Sequence, residues 1–218
     1  MNIMILGPQG SGKGTQAELL VKQFGFNYVE MGEILRSIAN SNNPKAEEIK
    51  GYLNSGKLVP DEFVRTVAWD HISKKESSLR EKKKGFIFDG YPRSVAQFEQ
   101  LEDMLRRFGK KIDKLIYITI PEEESIKRLS ARRDCTKCGR IWNQITNPPP
   151  GPETCECGGK LTQRGDDQPE AIKNRLGIFH ANTGPILKKA REEGILTEVD
   201  GERPIEAIHE EIVKELGL

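Results

Sequence analysis

The chain has no apolar run near the roughly 18 residues that a membrane span requires, so a transmembrane protein is not among the readings to pursue. It also lacks an excess of charge of one sign, with 34 Lys and Arg against 33 Asp and Glu. Near neutrality gives no general case for nucleic acid or a membrane surface as partner, and any anion site must come from placed residues. Cysteine is scarce and confined, all four lying between positions 135 and 157. In a reducing compartment such a group reads as a metal cluster before it reads as disulfides. His71, His180 and His209 stand alone at helical positions and carry no assigned role. Repeats and low-complexity segments are absent. Met1 runs straight into the first expected strand, so no signal or transit peptide is expected, and a cytoplasmic enzyme is. What remains is a chain of 218 residues, long enough for one α/β body with insertions.

Its organising stretch is Gly7 to Thr15, GPQGSGKGT, placed after the apolar run Ile3-Met4-Ile5-Leu6 and before a helical pattern that ends at Gly25. A strand feeding a glycine-rich turn feeding a helix is a phosphate site: the backbone curls so that N–H groups point inward, the helix start adds partial positive charge, and Lys13 adds a full one. The pattern G-x-x-x-x-G-K is met, but Gly14 follows the lysine and the hydroxyl arrives one place later, at Thr15.

Further strands are expected at Asn27–Glu30, Gly85–Asp89, Leu115–Ile120 and Ile195–Val199. Between the first two of these, Gly32 to Val59 reads as a small helical excursion, a candidate mobile subdomain. Arg36 sits one turn into its first helix, and Lys57-Leu58-Val59-Pro60 is extended because the residue before proline avoids helix. Asp61 is expected to cap the next helix, and Ser73 to Lys84 to form a polar connection. Asp89 ends its strand where a P-loop enzyme places the acid that holds Mg²⁺ through water; the alternative is a capping or turn aspartate. Gly90-Tyr91-Pro92-Arg93 turns an arginine toward the same sheet edge, and Ser94-Val95-Ala96-Gln97 fits a capping box. Pro121 is expected at the first position of a helix on which Arg128 and Arg132, four apart, share a face. Like charges so spaced repel, which points to an anion above them.

Residues 133 to 167 leave the α/β rhythm. Cys135-x-x-Cys138 and Cys155-x-Cys157, with 16 residues between the pairs and glycine behind each, resemble a rubredoxin or zinc-ribbon knuckle pair. A structural zinc or iron is the reading; disulfides or idle thiols are the alternatives. No water site or general base accompanies the cluster, so a catalytic metal is not implied. Asp166-Asp167-Gln168-Pro169 restarts the body as a helix start, and Pro204 to Leu216 closes it.

GPQGSGKGT, Asp89-Gly90-Tyr91-Pro92-Arg93, the pair Arg132-Arg133, Arg164-x-Asp166-Asp167 and Arg175, taken in order, closely resemble adenylate kinases with the long, zinc-bearing lid, over essentially the whole length. The resemblance implies a P-loop core of residues 1–30, 60–132 and 168–218 around a five-stranded parallel sheet flanked by helices. It further implies a helical nucleoside-monophosphate-binding insertion at 31–59 and a small lid at 133–167 holding structural Zn²⁺ on Cys135, Cys138, Cys155 and Cys157. Gly10, Ser11, Gly12, Lys13, Gly14 and Thr15 would cradle the ATP phosphates, with Lys13 bridging β and γ. Arg36 and Arg93 would grip the AMP phosphate, while Lys57, Leu58, Val59 and Gly90 line the nucleotide, with Met31, Tyr91 and Pro92 beside it, and Gln97 reads adenine. Arg128 would stack on ATP adenine, Ile141 and Trp142 cover ATP from the lid, and Arg203 adds backbone near the base. Arg132, Arg164 and Arg175 would converge on the transferring phosphoryl group, with Asp166 and Asp167 at the lid root.

Such an enzyme would act as a monomer on ATP with Mg²⁺, AMP and ADP, without nucleic acid or membrane. The AMP phosphate is already an anion at pH 7, so no general base is required; the task is to overcome repulsion between polyanions. Three departures from the family pattern stand out: Met31 where threonine is usual, Trp142-Asn143 for Tyr-His, and the shortened Cys155-x-Cys157 pair. Met31 keeps open a kinase for UMP, CMP or GMP. A different class, a P-loop switch whose knuckle binds nucleic acid or a partner, predicts a basic, aromatic knuckle surface that the sequence does not supply.

Overall fold

The computed structural model describes residues 1–77 and 84–218. In chain order its elements begin with β1 (Ile3–Leu6), α1 (Lys13–Phe24), β2 (Asn27–Glu30), α2 (Met31–Ala39), α3 (Ala46–Asn54) and α4 (Asp61–Ser77). They continue with β3 (Phe86–Asp89), α5 (Val95–Arg106), β4 (Lys114–Thr119), α6 (Glu122–Ser130), β5 (Arg132–Cys135), β6 (Ile141–Asn143) and β7 (Leu161–Thr162). A 3₁₀ turn at Gly165–Asp167 then leads to α7 (Pro169–Glu192), β8 (Leu196–Asp200) and α8 (Ile205–Leu216).

Five strands form one parallel sheet in the order β2-β3-β1-β4-β8. β1 is buried at every residue because both sheet faces are covered, which is what an uninterrupted IMIL run anticipates. Alternation then sorts the side chains. Met4, with Phe88 and Leu115 opposite it in register, faces a core closed by α4, α5 and α7. Ile3 and Ile5, with Ile87 and Ile116, face the other core, closed by α1 and α8. Each such side chain contributes about 1.5–3 kcal/mol on burial. The strand order reverses at β1, and the crevice beyond its carboxyl end is where an open α/β sheet places a ligand.

A second, antiparallel sheet, β6-β5-β7, carries a core of its own made of Cys135, Trp142, Cys155 and Leu161. It stands on α6 and the turn before α7. No helix among the described residues is long and apolar enough to cross a membrane.

Several local expectations change. α6 ends at Ser130, with Ala131 as its C-cap, so Arg132 opens β5 opposite Asn143 and shares no helix face with Arg128. Pro121 is the N-cap of α6, in extended backbone, and its carbonyl accepts from Ser125 N–H at 3.0 Å. The stretch from Ser73 is helical as far as Ser77, and residues 78–83 of that supposed connection lie outside the described residues. Asp61 is the first helical residue of α4 while the Pro60 carbonyl accepts from Phe63 and Val64 N–H; the Asp61 carboxylate turns away to α5.

Candidate active site

The Gly7–Gly12 loop joins β1 to α1, which starts at Lys13, two residues before the periodicity suggests. Its N-cap is Gly12 at φ 90°, with no side chain capping the first N–H groups. Those donors are left for an anion. Gly7 is sterically required, since a Cβ there would sit 2.5 Å from both the Ile118 carbonyl and Ser11 Oγ; a Cβ on Gly14 would make a tight 3.3 Å contact with Asp89 Oδ2, which a small shift of that carboxylate would relieve. Lys13 Nζ reaches the Pro8 carbonyl at 3.3 Å, and burial lowers its pKa from 10.5 to about 8.

Asp89, buried at the end of β3, accepts a hydrogen bond from the Tyr28 hydroxyl at 3.0 Å. It caps no helix. Tyr28 went unnoticed in the sequence, where nothing pairs it with Asp89; the parallel register that sets Tyr28 opposite Ile87 and Glu30 opposite Asp89 brings them together. Burial first, then the Asp89 charge, raises the pKa of Glu30 and that of Tyr28.

A cavity of about 470 Å³ opens above the loop. Gly10 to Thr15, Asp89, Arg128, Arg132, Arg164, Arg203 and the β6 residues Ile141 and Trp142 all border it. Trp142 turns its ring away, to the cysteines, and is 3% exposed. A smaller cavity of about 60 Å³ is bordered by Met31, Lys57, Leu58, Val59 and Gln97. Tyr91 and Pro92 border neither of these: Tyr91 is fully buried in the core and Pro92 lines a third space of about 40 Å³ behind the loop. The two main cavities share Gly32, Arg36, Gly90, Arg93 and Arg175 as a common wall.

Most of the site's cations already face carboxylates. Arg36 pairs with Glu30 and Glu33, both at 3.0 Å. Arg128 pairs with Glu124 at 2.7 Å and donates to the Gly201 carbonyl. Arg164 pairs with Asp134, Arg203 with Glu211, and Arg132 with Asp167. Arg175 meets Asp166 at 3.0 Å, and burial brings its own pKa down to about 10. Burial would raise the pKa of Asp166, but Arg175, Arg132 and Arg164 hold it below its usual range. Arg93, Lys13 and, on the small cavity, Lys57 have no carboxylate partner among the described residues; Arg93 Nε donates to the Gly90 carbonyl at 2.8 Å. The cavity wall is therefore rich in cations, most of which would have to exchange a carboxylate before meeting another anion.

Gln97 does only half of a capping box. Ser94 Oγ accepts its N–H at 3.1 Å, but Gln97 Oε1 takes the N–H of Arg93, one residue further back, at 2.7 Å. Its Nε2 donates to Asp61 Oδ1 at 2.6 Å. Asp61 thus holds a side chain of the small cavity's wall without bordering that cavity itself, a contact its own position in the sequence does not reveal.

The four cysteines converge, their Sγ atoms all within 4.8 Å of one another. Cys135 and Cys157 sulfurs are 3.5 Å apart, Cys138 and Cys155 3.7 Å. Tetrahedral zinc at about 2.3 Å from each sulfur sets sulfurs about 3.8 Å apart, so the donor set fits. Gly159 is needed behind the second pair, since a Cβ there would lie 2.6 Å from Cys135 Sγ.

Comparison with known proteins agrees with this layout. A family model described as adenylate kinase matches residues 5–195. The adenylate kinase of Pyrococcus horikoshii is 43% identical over 213 residues, covering 97% of this chain and 94% of its own. That of Archaeoglobus fulgidus is 39% identical over 213 residues, 97% and 96% of the two chains. That of Caldicellulosiruptor bescii is 39% identical over 219 residues, the full length of both.

Proposed function

Since this chain belongs to the adenylate kinase family, we propose that it transfers the γ-phosphoryl group of ATP to AMP, giving two ADP. The observation that carries the proposal is the shared wall: the large and small cavities meet at Arg36, Arg93 and Arg175, beside Lys13. Two phosphorylated ligands seated in them would bring their phosphates to these cations. ATP takes the large cavity, with its phosphates on the Gly10–Thr15 backbone and Lys13 and its base between Arg128 and the Arg203 segment. AMP takes the small one, beside Met31, Lys57, Leu58, Val59 and Gln97.

Arg93 and Lys13 meet the phosphates directly. Arg36, Arg132, Arg164 and Arg175 exchange a carboxylate for a phosphate oxygen, a swap their planar forks suit. Asp89 and the loop hydroxyl of Thr15 would hold Mg²⁺, which neutralises phosphate charge when bound. Residues 133–167 act as a lid that excludes water, with Zn²⁺ on the four cysteines as its structural core; residues 31–59 carry the acceptor, and 1–30, 60–132 and 168–218 form the body. Few large apolar residues among those described are exposed (Met1, Ile126, Ile141 and Ile145), which suits a monomer, and the free thiol cluster suits the cytoplasm.

The test is ADP formation from ATP and Mg²⁺ with AMP, UMP, CMP or GMP as acceptor. AMP is expected to be strongly preferred. Preference for another monophosphate overturns the acceptor assignment; no transfer to any overturns the proposal.

A further inference from the structure

Among the described residues, the cysteine cluster receives one hydrogen-bond donor from outside its own knuckles. The indole Nε1–H of Trp142, on β6, points at Cys155 Sγ at 3.3 Å, and both residues are buried. The two knuckles differ in what they offer their first sulfur. In Cys135-Thr136-Lys137-Cys138 the Lys137 N–H reaches Cys135 at 3.4 Å. Cys138 N–H acts on the same sulfur, giving Cys135 two backbone donors; Cys155-Glu156-Cys157 is one residue shorter and offers Cys155 the Cys157 N–H alone, and the indole adds a second donor from β6. The ring is held in place from its other side. Arg140 lies over it at 4.3 Å and reaches Glu156, the residue between the two cysteines. Ile141 and Asn143, either side of Trp142, border the large cavity, and Asn143 Nδ2 donates to the Arg128 carbonyl at 2.8 Å.

We propose that Trp142 is a positioning residue for the lid metal, its indole N–H donating to the Cys155 thiolate and tying the metal centre to the strand that borders the nucleotide cavity. The proposal rests on the reading of the four cysteines as a metal site. Four thiolates around one divalent cation carry excess negative charge, and an N–H donor on a ligating sulfur spreads it while fixing the ligand's orientation. The shortened knuckle makes that donor matter most at Cys155.

The experiment uses the full-length protein in a Trp69→Phe background, where Trp142 is the single tryptophan, and a second protein with Trp142→Phe, which keeps a ring but loses the donor. Zn²⁺ affinity is measured by competition with a chromophoric chelator, and Co²⁺ substitution reads the thiolate-to-metal charge-transfer band. Trp142→Phe is expected to weaken Zn²⁺ binding by about 10- to 100-fold and to shift that band. Unchanged affinity and band, with the parent binding metal normally, overturn the role of Trp142 and leave the metal site standing. A parent that binds neither ion overturns the metal site itself. Should Trp142→Phe fail to fold, the Trp69→Phe protein decides: Trp142 emission that changes up to one equivalent of Zn²⁺ supports the contact, and emission indifferent to Zn²⁺ overturns it.

Discussion

Arg132 meets Asp167 through two parallel hydrogen bonds, Nε to Oδ2 at 2.7 Å and Nη2 to Oδ1 at 2.6 Å, at the root of the three-stranded sheet. The Asp167 carboxylate is fully buried and is also 3.4 Å from Arg175. One acid thus holds two of the arginines that border the large cavity. Removing its charge leaves Arg132 without a carboxylate among the described residues, and Arg175 with Asp166 alone, in a poorly solvated place where breaking a buried pair costs about 3–5 kcal/mol. Asp167→Asn is therefore expected to destabilise the protein by about 3 kcal/mol, the lower end because Arg132 keeps some solvent contact. Urea unfolding checks this; a midpoint equal to the parent's would show that the pair is structurally idle.

Lys13 is expected to make the free enzyme sensitive to alkaline pH. Burial lowers its pKa from 10.5 to about 8; Asp89 opposes the shift, while Arg93, Arg175 and Arg132 add to it. The ammonium is the form that binds phosphate, so kcat/KM, which reports the free enzyme, is expected to fall as pH rises through about 8. In the proposed complex, phosphate would re-pair the ammonium, and the fall in kcat is expected at higher pH. The stability contribution has the opposite sign: between about 8 and 10.5 the unfolded chain holds more protons on this group, so folded stability from Lys13 rises with pH there. pH–rate profiles decide, and a kcat/KM flat through this window contradicts the assignment.

Arg93 is the arginine to test for catalysis alone. Among the described residues its guanidinium makes one hydrogen bond, to the Gly90 carbonyl, and burial lowers its pKa below the usual arginine value. No carboxylate among the described residues depends on it. Arg93→Ala is thus expected to leave the melting temperature nearly unchanged while lowering kcat/KM by about 10²–10³, the scale of a lost transition-state donor. Loss of stability and activity together would mean instead that it holds the fold.

How much of this was legible in the sequence follows from distance along the chain. β1, the glycine loop and Asp89 at the end of β3 announce themselves through patterns a few residues wide, and the structure has them where expected. Tyr28 with Asp89, Asp61 with Gln97 and Arg132 with Asp167 are 61, 36 and 35 residues apart. Such pairs are made by strand register and helix docking, which no local spacing encodes. Trp142 shows a different limit: strand alternation can put a side chain on either face of a short β-hairpin, and only the cysteine cluster decides that the ring turns inward. Asp61 is illegible as a Gln97 partner for the same reason, since a helix-start aspartate looks alike whether it bonds its own backbone or a neighbouring helix.

Asp61 has a consequence of its own for the acceptor. By accepting from Gln97 Nε2 it fixes which end of that amide faces Arg93 N–H, and it leaves Gln97 one N–H and one lone pair for a base. Asp61→Asn removes the fixed acceptor and lets the amide turn over. KM for AMP is expected to rise about tenfold, in the range of one misplaced hydrogen bond, while KM for ATP stays close to the parent value. An equal rise for both substrates would point to a loosened fold rather than a turned amide.

The shortened Cys155-Glu156-Cys157 pair makes Cys157 the most informative ligand to remove. Its sulfur lies 3.5 Å from Cys135 Sγ, on the opposite side of the cluster from the 3.7 Å Cys138–Cys155 pair. If it is a fourth ligand, a serine hydroxyl there leaves three thiolates and a much weaker donor. The folding free energy supplied by metal is then lost with the metal, and for a small structural zinc site that free energy is about 10–16 kcal/mol. Cys157→Ser should accordingly lower zinc content and melting temperature together. The chelated parent and the chelated variant should melt alike, because without metal the thiol does little that a hydroxyl cannot. A variant that keeps one zinc per chain would show that three cysteines suffice; one that melts lower only after chelation would assign Cys157 to packing in the small core with Cys135 and Leu161.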